Sequence, residues 1–212
     1  MNADKKFIIA ITGFTKSGKT TAANYLKKAG FYVLDVDKFA HTLYSKNSFL
    51  YKKLIKYFGK NILKKNAAID RKKLFLYAFK SHKIYKNFCS IIYPVLNKEL
   101  WEKIKSLKHN VIILDMAVLF ETGFYKKADF IVLVLVSKNK WLKRINTYPN
   151  NKQIKIVFKY QHIFKPLKKI ALSNFIIYNN KSKKEFIKQT GKLSNKIKEI
   201  LWMKSPRNRM IG

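Results

Sequence analysis

The stretch GFTKSGKTT at 13–21 constrains this chain more than any other, because few folds can hold it. Gly13, Gly18, Lys19 and Thr20 satisfy the pattern G-x-x-x-x-G-K-[ST]. Its glycines let the backbone wrap so that N–H groups point inward at an anion. The helix that follows adds the positive end of its dipole. In such a loop Lys19 reaches the β- and γ-phosphates of a nucleoside triphosphate, and Thr20 offers a hydroxyl to Mg²⁺. The mechanism demands a strand before the loop and a helix after it, and both are present. Residues 6–12 read as a buried, β-branched strand ending at glycine. From Thr20 the pattern is helical: Ala22, Leu26 and Ala29 recur at spacings of four and three, and Gly30 supplies the stop.

The run FYVLDVD at 31–37 reads as a second strand, which completes a βαβ unit. Residues 38–108 carry no convincing strand and read as several helices, interrupted near NAAIDR at 66–71. So long a helical insertion forms a lobe beside the sheet. Strand character returns at 111–115 and 130–136, and a last short strand is expected at 174–178. Between them, 138–172 is helical with a break at YPNN, 148–151. The closing helix begins at Ser182, with Glu185 at capping-box spacing. Its inner stripe is Phe186, Thr190, Leu193, Ile197 and Ile200, and residues 205–212 read as a frayed tail. Five strands alternating with helices imply an α/β fold of the P-loop NTPase type: three layers, α/β/α, with a five-stranded parallel sheet. Ligands on such sheets gather at the C-terminal strand ends, where Gly13, Asp37 and Asp115 fall.

Composition narrows the class. The 212 residues suit one compact domain with a small appended lobe, and 48% hydrophobic content excludes a disordered chain. Cys89, the only cysteine, forms no internal disulfide, which fits a reducing cytoplasm. The longest later apolar run, FIVLVLV, is far too short to span a bilayer. The net charge of +35 invites a nucleic-acid reading. Only four of the 46 basic residues are arginine, however, and the Lys, Ile, Asn, Phe and Tyr enrichment is that of A/T-rich codons. Dedicated phosphate readers favour arginine's fork. No nucleic-acid partner and no membrane are expected, and the protein is expected to be a monomer or small homo-oligomer.

On the acceptor side, Asp35 and Asp37 lie two apart at the end of a strand, so both project to one side. A kinase acting on a hydroxyl needs a carboxylate to orient it and take its proton. The competing account is that one or both cap a helix starting near Lys38. These residues leave open which kinase this is, or whether it is an NTPase of another kind, although the length suits a small kinase better than a motor.

Five segments carry a resemblance to a known family: TGFTKSGKTTAANYLKKAGFYVLDVDKFAH, IDRKKL, YPVLNKEL, LDMAVLFETG, and a glutamine followed by NFIIYNN. Their order and spacing resemble bacterial dephospho-CoA kinases from about residue 7 to 180. The resemblance implies ATP-dependent phosphorylation of the ribose 3′-hydroxyl of dephospho-CoA, the last step of coenzyme A synthesis. It implies a core at 6–47, 109–137 and 173–203, a helical coenzyme A lobe at about 48–108 and a lid at about 138–172. By resemblance, Asp37 is the general base, and the ATP site comprises Gly13, Lys16, Ser17, Gly18, Lys19, Thr20 and Thr21. Asp115 sits like a Walker-B carboxylate, holding Mg²⁺ through water or supporting the base. Glu121 fixes its loop. Arg144 stands at the lid entrance, where it offsets charge on the transferring phosphoryl. Asn179 lies near the adenine, although a plain turn residue accounts for it equally well.

This chain departs from the family at several positions. Phe14 and Lys16 stand where the family has glycines, Tyr93 where it has histidine before Pro94, and Ala117 where it has proline. Tyr148 replaces a second lid arginine, and Lys165, Lys168 or Lys169 take the place of others. Lysine keeps the charge and loses the bidentate fork. Three rivals follow: another small-molecule or nucleotide kinase of the fold, a paralogue that binds nucleotide and turns over poorly, and a basic nucleic-acid-binding protein.

Overall fold

The computed structural model describes residues 6–160 and 166–203. The expected tail at 205–212 and Lys165 lie outside the described residues. Two compact units divide the chain: Met1–Leu34 joins Lys108–Gly212 in one, and Asp35–Leu107 forms the other.

The first unit is built on a parallel sheet whose strands run in the order β2 (Val33–Asp35), β3, β1, β4 and β5. β1 (Phe7–Thr12) lies at its centre, paired with β3 (Val111–Asp115) and β4 (Phe130–Leu135), and β5 (Phe175–Tyr178) pairs with β4. All six residues of β1 are buried, as a strand covered on both faces requires. Polar side chains fix where strands begin. The Asp129 carboxylate accepts from Ile8 N at 2.8 Å, and the Asn174 carbonyl oxygen accepts from Ile131 N at 2.7 Å. Alternate residues Phe7, Ile9 and Ile11 face α1 (Lys19–Lys28) and α9 (Lys183–Met203), meeting Ala22, Ala23, Leu26, Phe186, Leu193 and Ile197 in one core. α6 (Lys138–Asn146), α7 (Asn151–Tyr160) and α8 (Pro166–Ala171) follow β4, and Trp141, Ile145 and Ile154 form a second, smaller cluster among them.

The second unit is helical: α2 (Val36–Thr42), α3 (Phe49–Phe58), α4 (Arg71–Ala78) and α5 (His82–Ser106). Its helix starts are capped in the sequence-local way. Ser48 accepts from Tyr51 N at 3.1 Å, Asp70 from Lys72 N at 2.9 Å, and Ser81 from Ile84 N at 3.2 Å. The break expected near 66–71 is a tight turn closed by an isolated bridge between Leu63 and Ile69.

The layered α/β fold and its five strands are as expected, with corrections at several ends. The strand expected at 31–37 is only β2, Val33–Asp35, because Asp35 turns the chain into α2 by capping it. β4 ends one residue earlier than expected and β5 starts one later. Ala29 is the exposed C-cap of α1, and Ala23 takes the inner position assigned to it. The serine half of the capping box on α9 is present, with Glu185 N donating to Ser182 Oγ at 3.2 Å. Among the described residues no helix is long and apolar enough to cross a membrane.

Candidate active site

The loop between β1 and α1 is held from behind. Trp141 Nε1 donates to Thr15 O at 2.8 Å, Arg144 Nη1 to Lys16 O at 2.9 Å and to Ser17 O at 3.2 Å, and Asn179 Nδ2 to Ser17 O at 2.7 Å. Each peptide plane whose carbonyl faces these donors turns the next residue's N–H the opposite way, into the loop. Ser17 N is used in the tight turn, donating to Phe14 O at 2.9 Å. Glycine is required at both ends of the loop. Gly13 has φ 148° and a Cβ there would strike the Val134 carbonyl; Gly18 has φ 115° and a Cβ there would strike the Asn179 amide. Gly18 also serves as the N-cap of α1 and offers no side-chain acceptor, so the first-turn N–H groups face outward to whatever anion sits there.

A cleft of about 620 Å³ opens over this loop, lined by Lys16, Gly18, Lys19, Thr20, Thr21, Arg144, Tyr148, Asn179, Lys181, Lys183 and Phe186. Five of these carry positive charge and none negative, so the cleft suits a polyanion. Lys19 is buried to 5% exposure, with its ammonium 3.5 Å from Phe14 O. The Ser17 hydroxyl is fully buried and has no hydrogen-bond partner among the described residues. On the sheet side, Thr20 Oγ1 donates to Asp115 Oδ2 at 2.7 Å, joining the helix start to the buried end of β3. A hydroxyl beside a carboxylate is an oxygen donor set fitting a hard divalent cation that completes its shell with phosphate and water. Among the described residues, no three His, Cys, Asp or Glu side chains gather as a cage, and a cation shared with phosphates needs none.

The sequence-predicted residues therefore divide. Gly13, Lys16, Ser17, Gly18, Lys19, Thr20, Thr21, Asp115, Arg144 and Asn179 come together in the first unit. Arg144 and Asn179 grip the loop's main chain, a role their sequence positions did not reveal. Asp35 and Asp37 belong to the second unit and do not share a strand face. Asp35 accepts from Lys38 N at 2.9 Å as the cap of α2, the competing account weighed above, and Asp37 lies exposed in that helix's first turn. Close to them in chain and space, burial and the nearby Arg71 guanidinium lower the His41 pKa against the opposing pull of Asp35. Burial raises the Tyr44 hydroxyl to about 12. Tyr93, standing where the family has histidine, is pushed far up by burial and by Tyr85 and Cys89, so it stays neutral.

Of the lysines weighed as replacements for lid arginines, Lys169 is buried and ion-paired with Glu121 at 2.6 Å, and its ammonium lies 5.2 Å from the Phe14 ring centroid. Its charge is committed to the loop after β3, which gives Glu121 the fixing role expected of it. Sequence reasoning missed Trp141, Lys181, Lys183 and Phe186. Trp141 sits on a helical apolar stripe and reads as core, which it also is: its ring stacks on Phe158 at 4.0 Å. Lys181 and Lys183 are indistinguishable by type from the chain's many other lysines.

Comparison with known proteins agrees with this geometry. The family model described as CoaE, dephospho-CoA kinase, matches residues 7–185. The dephospho-CoA kinase of Aquifex aeolicus is 31% identical over 190 residues, covering 87% of this chain and 94% of that one. Among solved structures, a Thermus thermophilus protein superposes with a TM-score of 0.73 at 21% identity, covering 89% of this chain and 96% of its own, a likeness of fold. The dephospho-CoA kinase from Campylobacter jejuni superposes with a TM-score of 0.66 at 25% identity, covering 90% and 96%.

Proposed function

The chain belongs to the dephospho-CoA kinase family, and from that premise we propose how its residues divide the reaction. The enzyme is a phosphotransferase: ATP gives up its γ-phosphoryl group, and the ribose 3′-hydroxyl of dephospho-CoA accepts it. In our reading the triphosphate lies on residues 13–21. It is met by inward N–H groups, by the Thr20 and Thr21 hydroxyls and by the Lys19 ammonium, and the nucleoside end extends toward Asn179. The observation that carries this is the bracing of three successive loop carbonyls from behind, over a cleft lined by five cations.

Thr20, with Asp115 through water, would hold Mg²⁺; the ion supplies charge neutralisation on the β- and γ-phosphates. Asp37 orients the 3′-hydroxyl and takes its proton as the O–P bond forms, a role supported by its exposed carboxylate and its place in D-x-D-x-x-A-H. Arg144 keeps the loop in shape and adds positive charge beside the phosphoryl in flight. The helical segment at about 48–108 takes the coenzyme A moiety, and 138–172 closes over the nucleotide to exclude water. The absence of internal disulfide chemistry at Cys89 fits a cytoplasmic enzyme.

The test is ADP release with Mg·ATP and, in turn, dephospho-CoA, AMP and shikimate. Turnover with dephospho-CoA at least a hundredfold above the other acceptors, with phosphate appearing at the 3′ position, supports the reading. Equal or greater turnover with AMP or shikimate contradicts it, and ATP binding without turnover on any acceptor marks a weakened paralogue.

A further inference from the structure

We infer that Lys16 is a second phosphate-binding lysine of this site, and that Tyr148 is the positioning residue that holds its ammonium at the cleft wall. The inference rests on residues 13–21 being the triphosphate cradle.

Lys16 occupies a left-handed backbone conformation, φ 65°, that disfavours any residue with a Cβ. If only its main chain mattered, glycine would serve better. Its carbonyl is fixed by Arg144 Nη1 at 2.9 Å, and its ammonium sits 4.1 Å from the centroid of the Tyr148 ring. Arg144 and Tyr148 are one helical turn apart: Tyr148 N donates to Ile145 O at 3.0 Å, which continues the coil of α6 past its last residue. A single turn therefore grips the main chain and the side chain of residue 16 together. Both Lys16 and Tyr148 line the cleft over Lys19 and Thr20.

This arrangement solves an electrostatic problem. Lys16, Lys19, Arg144, Lys181 and Lys183 crowd one cleft without a lining carboxylate. The π face of Tyr148 is an electron-rich surface on that wall, and it holds the Lys16 ammonium without neutralising it. A phosphate oxygen offers a stronger, charge-assisted hydrogen bond. A polyphosphate arriving there accepts hydrogen bonds from an ammonium already held at the cleft wall, with the ring still beneath it. The ligand class is a nucleoside di- or triphosphate; a monophosphate ends before the chain that Lys16 reaches.

Calorimetric titration with AMP, ADP and ATP tests this on the wild type, Lys16→Met, Tyr148→Leu, the double variant and Lys19→Met. Lys16→Met should weaken ATP by about tenfold or more and ADP less, leaving AMP within about twofold, with no fall in thermal midpoint. Tyr148→Leu should weaken ATP by about threefold in the wild type and not at all in the Lys16→Met background. Lys16→Gly should repeat the graded loss while melting no lower than wild type. Unchanged ATP affinity in Lys16→Met, equal losses for AMP and ATP, or fully additive effects of the two substitutions would each overturn the inference. If ATP affinity is indifferent to Lys19→Met, the cradle reading itself has failed. If Lys19→Met weakens ATP and Lys16→Met does not, only the inference has.

Discussion

The loop at 13–21 and the acidic turn at 35–37 are both chemistry-bearing segments that follow a sheet strand, and they are built in opposite ways. In the loop the main chain is the working surface. Its conformation is fixed by glycines that admit no side chain and by donors reaching over from residues 141, 144 and 179. In the acidic turn the main chain is an ordinary helix start, and the role we propose rests on side chains. Asp35 is consumed by capping α2, which leaves Asp37 in the first turn. A backbone site tolerates no change at its glycines and much change elsewhere, whereas a side-chain site depends on one group and tolerates its surroundings.

Two substitutions probe that contrast, the larger effect first. Gly18→Ala puts a methyl group onto the Asn179 amide at a φ that alanine resists, so the brace and the loop must both shift. Loss of ATP affinity and turnover by about a hundredfold or more is expected, read by titration and ADP release. A variant with normal affinity would show that the loop adapts and break the contrast. Asp35→Ala should do much less. It removes a cap worth about 1 kcal/mol, read as a lower urea midpoint, and it should leave ATP affinity alone. A loss of ATP affinity would mean that Asp35 does more than begin α2.

Much of this was legible in the sequence because it is encoded locally. The five strands announce themselves as short apolar runs, and the loop's glycines, lysine and threonine are consecutive. Capping serines and aspartates sit one turn from the groups they satisfy. The exception among local features, β2, shows the limit: Asp35 suits a strand end and a helix cap equally, and the hydrogen bond to Lys38 N decides for the cap. What remained hidden is long-range. Nothing in the spacing of α6 says that the Trp141 indole reaches Thr15 O or that the Arg144 guanidinium turns to the loop carbonyls. Nor does residue type separate Lys169, buried against Glu121, from Lys181 and Lys183 on the cleft wall. In a chain this rich in lysine, position in the fold supplies the distinction that composition erases.

In the reaction we propose, labour is divided: the loop binds the donor and Asp37 prepares the acceptor. Its most direct test measures ATP affinity and dephospho-CoA turnover side by side in Lys19→Met and Asp37→Asn. Lys19→Met is expected to lose both, and Asp37→Asn to keep ATP affinity within about twofold while turnover falls by about 10²–10⁴. Undiminished turnover in Asp37→Asn would contradict it.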